Sequence, residues 1–310
     1  MTSTSAANTG RDTLPDSLRP GSVHLTVTDL DRSVSFYESA IGLRLARRDG
    51  VEAALGAGGE ELLVLHEEPQ ARPAGRHAGL YHFALLHPSR LELARAAQRL
   101  MATQTPVSGA SDHKISEAIY LPDPDGNGIE LAADRSREHW GDLSDPTALG
   151  GPEPLDLQGL MALVEGTEPP AQASDDLRVG HVHLHVGDVE GALAFWRDLI
   201  GFEVMTRFPS AAFVAAGGYH HHLGLNTWRG EGVPPMPAGS VGMRSWTLVL
   251  EQADEVAAVR ERVAGGGAPV EERPGGFLTR DPWNNAVTVT GGSRPRTPAD
   301  TRPRAGDADS

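Results

Sequence analysis

The sequence predicts an α+β protein of four βαβββ units paired into two similar domains. Three observations carry that reading. Residues 21–45, "GSVHLTVTDLDRSVSFYESAIGLRL", recur at an offset of 159 as residues 180–204, "GHVHLHVGDVEGALAFWRDLIGFEV". Both copies hold an apolar stripe at helical spacing: Leu30, Val34, Tyr37 and Ile41, then Val189, Leu193, Trp196 and Ile200. Such a stripe packs on one face of a sheet. Each half closes with a hairpin pattern, "IYLPDPDGNGIEL" at 119–131 and "FLTRDPWNNAVTV" at 277–289.

In order along the chain, each copy reads as a strand, an N-capping aspartate (Asp29, Asp188), a helix and a glycine stop (Gly42, Gly201). His24 and His183 occupy the same place in the repeat. Short alternating strands follow, "VEAALGAGG" and "EELLVLH" in the first half, "AAFVAAGG" and "YHHHLGLNTW" in the second. A strand–helix pattern then restarts in "LYHFALLHPSRLELARAAQRLM" and again in "SWTLVLEQADEVAAVRERV". The domains are expected over 20–133 and 179–292, each an eight-stranded cup. The connector 134–178 is polar and Pro-rich with one apolar patch, "LDLQGLMALV". Residues 1–19 and 293–310 have the composition of disordered tails.

The net charge of −15 argues against nucleic acid and anionic membranes as partners. No apolar run nears 18 residues, and "MTSTSAANTGRDTLPDS" lacks the apolar core of a signal peptide, so a cytoplasmic location is expected. There is no cysteine, which leaves His, Asp and Glu to hold any metal. The chain has thirteen histidines, and they cluster.

Strand parity sorts them. In "SVHLTV" the residues Val23, Leu25 and Val27 face the helix, which turns His24 the other way. His82 in "YHFAL", His66 in "LLVLH" and Glu130 in "NGIEL" share that parity. If the two units of the first half form one cup, His24, His82 and Glu130 meet inside it. Two imidazoles and one carboxylate leave coordination positions open, as a non-haem Fe(II) oxygenase requires. In the second half His183 is retained, but Ser245 stands in the place of His82 and Thr288 in that of Glu130. The cluster His183, His185, His221 and His222 either supports a second metal site or is a degenerate one.

The strand "VHLTV", the helix "FYESAIGL", the strand "YHFAL" and the hairpin "DPDGNGIEL" resemble the vicinal oxygen chelate superfamily, and within it the two-domain extradiol (catechol 2,3-) dioxygenases. The resemblance covers nearly the whole folded chain. It implies metal ligands at His24, His82 and Glu130, an acid–base histidine at His66, and substrate contacts from His113 and Tyr120. It implies Fe(II), with Mn(II) the alternative and zinc still open, and a small aromatic diol cleaved with O2 to a muconic semialdehyde. Related enzymes often assemble from several chains, so a homo-oligomer is compatible with it. One departure is that the triad falls in the N-terminal half, where better-known relatives carry theirs in the C-terminal domain. Two rivals share the scaffold: a glyoxalase-type isomerase, which would need a fourth ligand near His66, and a non-catalytic binding or resistance protein, which would need no triad.

Overall fold

The computed structural model describes residues 13–145 and 152–292. Unit 1 comprises β1 (Arg19–Val27), α1 (Leu30–Phe36, continued by a π turn over Tyr37–Ile41), β2 (Arg44–Asp49), β3 (Glu52–Ala57) and β4 (Glu60–Glu67). After a short β5 (Arg72–Pro73), unit 2 holds β6 (Gly79–His87), α2 (Arg90–Ala102), β7 (Gly109–Asp112), β8 (Ser116–Pro122) and β9 (Gly128–Asp134). The connector forms β10 (Glu153–Pro154) and α3 (Leu157–Ala162). Unit 3 runs through β11 (Arg178–His185), α4 (Val189–Phe195, with a π turn over Trp196–Ile200), β12 (Glu203–Phe208), β13 (Ala211–Ala215) and β14 (Leu223–Asn226). Unit 4 contains β15 (Ser240–Leu250), α5 (Ala253–Gly265), β16 (Glu271–Arg273), β17 (Gly276–Arg280) and β18 (Ala286–Gly291).

Local signals act as their chemistry dictates. The Asp29 side chain accepts the Arg32 amide, and Asp188 accepts those of Glu190 and Gly191, so each opens its helix. Gly42 and Gly201 close the two π turns in the left-handed conformation, at φ of 84° and 105°. All eight residues of the two predicted stripes are buried. Each hairpin is tied by a buried aspartate. Asp123 accepts the amides of Asp125 and Asn127, the Asn127 side chain and the Tyr37 hydroxyl. Asp281 accepts the matching set from Trp283, Asn285 and Trp196. The helix of one unit is thereby joined to the hairpin of the next.

The sheets, however, pair across the halves. One runs β16-β17-β18-β15-β1-β4-β3-β2, with β5 beside β15, and unites unit 1 with unit 4. The other runs β10-β7-β8-β9-β6-β11-β14-β13-β12 and unites unit 2 with unit 3. This corrects the expectation that 20–133 and 179–292 each close a cup of their own. The first strand of every unit offers one open edge, and any other unit's first strand can pair with it antiparallel, as β1 does with β15 and β6 with β11. Nothing in strand composition names the partner. The ends also differ from expectation where they are described: Leu14 and Leu18 are buried, and Leu14 donates its amide to the Gly201 carbonyl. The remaining tail residues, 1–12 and 293–310, lie outside the described residues. The connector docks its apolar patch as well, with Leu155, Leu160 and Val164 buried in the common core. No described helix is long and apolar enough to cross a membrane.

One core residue makes a testable statement about acid stability. His87 ends β6 on the helix-facing side, and neither ring nitrogen has a hydrogen-bond partner among the described residues. Burial, then the Arg99 guanidinium, pushes its pKa down to about 3. A histidine depressed in the folded state contributes stability above its unfolded value, near 6.5, and loses it as the pH falls toward the folded value. At about pH 4.5 the native chain should therefore have lost roughly 2–3 kcal/mol more than His87→Leu, relative to neutral pH. Denaturant titrations at the two pH values check this, and parallel profiles for both proteins would refute a buried neutral His87.

Candidate metal centre

The metal-ligand geometry arises where three neighbouring strands, β9, β6 and β11, pass side by side. Ala84 on β6 is in register with Glu130 on the parallel β9 and with His181 on the antiparallel β11. Residues in register share a face of a sheet, and those two residues apart on a strand share it too. Glu130, His181 and His82 therefore rise from the same face around Ala84, whose small side chain leaves the space above it open. The His82 and His181 Nε2 atoms stand 2.9 and 3.2 Å from Glu130 Oε2, and 3.3 Å from each other. All three side chains are buried. Burial alone would raise the Glu130 carboxyl, but the two imidazoles hold it well below the usual carboxylate range.

These donors fit a divalent cation. Two imidazole nitrogens and one ionised oxygen converge on a single region, and one carboxylate oxygen faces two rings at once. A two-histidine, one-carboxylate set suits Fe(II), Mn(II) or Zn(II) and leaves positions free for other ligands. Among the described residues no fourth histidine, aspartate or glutamate joins the group.

Partly exposed polar residues stand around this buried floor. Tyr120 is in register with Glu130, and its hydroxyl lies 2.8 Å from His113 Nε2. Burial and the Glu130 carboxylate push the Tyr120 phenol upward, so it stays protonated. The His221 ring, just before β14, lies 4.1 Å from that of His181 between centroids and 5.0 Å from Phe213. Desolvation, then His181, holds it well below the ordinary histidine value and so neutral. On the other side, His183 packs its ring 5.0 Å from His82, 5.2 Å from Tyr81 and 5.2 Å from Trp228. Gly224 makes room for it, since a Cβ there would stand 2.7 Å from the ring.

Of the residues expected from sequence, the structure brings His82, Glu130, His113 and Tyr120 together. It does not bring His24 or His66. Both belong to the other sheet, where His24 Nδ1 faces His66 Nε2 at 3.1 Å and His66 Nδ1 faces Glu52 at 3.2 Å. That sheet repeats the registers of the first, with His24 opposite Ser245 as His183 is opposite His82, and Thr247 opposite Thr288 as Ala84 is opposite Glu130. The repeat also sets Ser22 in the place of His181. Its three ligand positions are thus Ser22, Ser245 and Thr288, hydroxyls that do not supply the missing charge and imidazole nitrogens.

The cluster His183, His185, His221 and His222 is likewise dispersed: His185 Nδ1 contacts Asn226, and His222 Nδ1 accepts the Ala216 amide. The "YHHHLGLNTW" segment becomes a strand only from Leu223, and of the three histidines before it His221 turns its ring to His181. Sequence reasoning missed His181 and grouped His221 with the second-half histidine cluster rather than with His82 and Glu130. The signal for His181 was its parity with His183, two residues on.

The model of the glyoxalase/bleomycin resistance protein/dioxygenase superfamily matches residues 19–131 and 178–300. A catechol-2,3-dioxygenase of Bacillus subtilis (strain 168) is 40% identical over 271 residues, covering 86% of this chain and 94% of the relative. Glyoxalase I from Zea mays shares the fold at a TM-score of 0.57 and 19% identity, over 89% of this chain and 92% of that one. The two matched segments take in all four βαβββ units, and the chain belongs to the glyoxalase/bleomycin resistance protein/dioxygenase superfamily.

Proposed function

We propose that this protein is a metal-dependent extradiol dioxygenase that cleaves a catechol-type diol with O2 to a muconic semialdehyde, with Fe(II) as its metal and Mn(II) the alternative. The observation that carries the reading is an open three-ligand set, His82, Glu130 and His181, on a buried floor beside the His221 imidazole and the Tyr120 phenol. The 40% identity to a catechol-2,3-dioxygenase supports it. His82, Glu130 and His181 would hold the cation, whose charge would lower the phenolic pKa of a bound diol.

The chain's own residues supply the rest. His221, neutral and partly exposed next to His181, accepts the second diol proton and later returns it. Tyr120, kept protonated and paired with His113, orients a bound oxygen by hydrogen bonding. Tyr81 and Trp228, 5.3 Å apart, offer aromatic walls to a flat ring.

That no fourth ligand joins the group among the described residues favours this reading over a glyoxalase-type isomerase. Loading the protein anaerobically with Fe(II) and catechol, then admitting air, should give the yellow ring-cleaved product within minutes. A protein that binds the metal but forms no such product, while isomerising a hemithioacetal, would reverse the choice.

A further inference from the structure

A second polar chain approaches the metal centre from the side. Tyr219 donates its hydroxyl to Asp134 Oδ2 at 2.7 Å, and His220 Nε2 lies 3.0 Å from Asp134 Oδ1. His220 Nδ1 then lies 2.8 Å from His221 Nδ1. Asp134 ends β9, the strand of Glu130, whereas both histidines precede β14, so units 2 and 3 each supply part of the chain. His220 is buried, with its ring 5.1 Å from Trp140 and 4.1 Å from Tyr219.

We propose that Asp134 and His220 are positioning residues that fix the tautomer of His221, leaving its Nε2 unprotonated. The inference rests on reading His221 as the proton carrier. A contact between two Nδ1 atoms needs one N–H and one lone pair. A carboxylate only accepts, so His220 carries its proton on Nε2, toward Asp134. Burial would raise the Asp134 carboxyl, yet its bonds from His220 and Tyr219 hold it lower and ionised.

With its proton on Nε2, His220 presents a bare Nδ1, and His221 must donate to it from its own Nδ1. The lone pair of His221 is left on Nε2. The same logic orders a catalytic histidine by a buried aspartate in other enzymes, where loss of the tautomer is costly.

The test is long-range proton–nitrogen spectroscopy of the histidine rings in the full chain, with and without Zn(II) as a diamagnetic metal. His221 is assigned by the resonance missing from His221→Phe. The native chain should show His221 protonated at Nδ1. In Asp134→Ala and in His220→Phe, which keeps the aromatic packing against Trp140 and Tyr219, the Nε2-protonated form should appear. Ring-cleavage kcat should fall about 10–100-fold in both, the usual cost of losing an outer partner, with KM little changed. An Nε2-protonated His221 in the native chain, an unmoved tautomer in both variants, or an unchanged kcat would overturn the proposal. A tautomer that follows the variants in a chain that cleaves no catechol would uphold the positioning and instead remove the dioxygenase reading.

Discussion

His181→Ala should yield a folded chain that no longer holds a divalent metal and no longer cleaves catechol, whereas His24→Ala should keep both. The contrast follows from which strands lie together. β6 and β11 are paired, so His181 and His82 bring their Nε2 atoms within 3.3 Å over the Glu130 carboxylate. β1 lies in the other sheet, and His24 is engaged with His66 and, at 3.4 Å, with Ser22. Removing one of three ligands should cost more than the roughly 10–100-fold that an outer-shell loss typically costs in metal affinity. It also leaves Glu130 buried with His82 as its remaining histidine partner, so some loss of thermal stability is expected in His181→Ala. His181→Gln, closer in size, guards against reading a folding defect as a lost ligand. Metal analysis of the purified proteins decides the matter. Metal retained in His181→Ala but lost in His24→Ala would move the centre to the sheet of units 1 and 4.

Why His24 suggested itself from sequence, and His181 did not, has a physical cause. The repeat makes residues common to both copies conspicuous: Val23 and Val182, Asp29 and Asp188, Gly42 and Gly201. These are the buried, capping and left-handed positions that every βαβββ unit must satisfy, and all were legible because their chemistry is local. A single candidate metal centre on one of two equivalent sheets is instead found where the copies differ. His181 against Ser22, His82 against Ser245 and Glu130 against Thr288 are three such differences, and they fall at equivalent positions of the two sheets. Strand parity alone put His82 and Glu130 on the face they share in the structure, since a period of two needs no knowledge of the fold. The third ligand depended on which unit lies beside unit 2, and that is decided by edge pairing between strands almost a hundred residues apart. His113 and Tyr120 came out together because they sit on one hairpin with Glu130.

The same exchange of partners decides where the proposed proton carrier sits. His221→Phe is expected to retain its metal while ring cleavage slows by about 10²–10⁴, the usual contribution of a positioned acid–base group. His66→Asn should leave both nearly unchanged. His66 precedes His82 in sequence and shares its strand parity, but in space it faces Glu52 and His24 on the unit 1 sheet. The equivalent stretch beside the metal centre belongs to unit 3, and there the histidine against His181 is His221. Phenylalanine is the informative replacement because Phe213 already packs 5.0 Å from the ring, so the site accepts an aromatic side chain without the nitrogens. Metal content and kcat measured on the same preparations separate the roles. If His221→Phe lost its metal, His221 would be a fourth ligand and the isomerase reading would gain. If it kept both metal and rate, the proton would have to travel through His113, whose contact with Tyr120 makes it the next candidate. A slow enzyme with full metal is the one result that a neutral, unligated imidazole beside the centre requires.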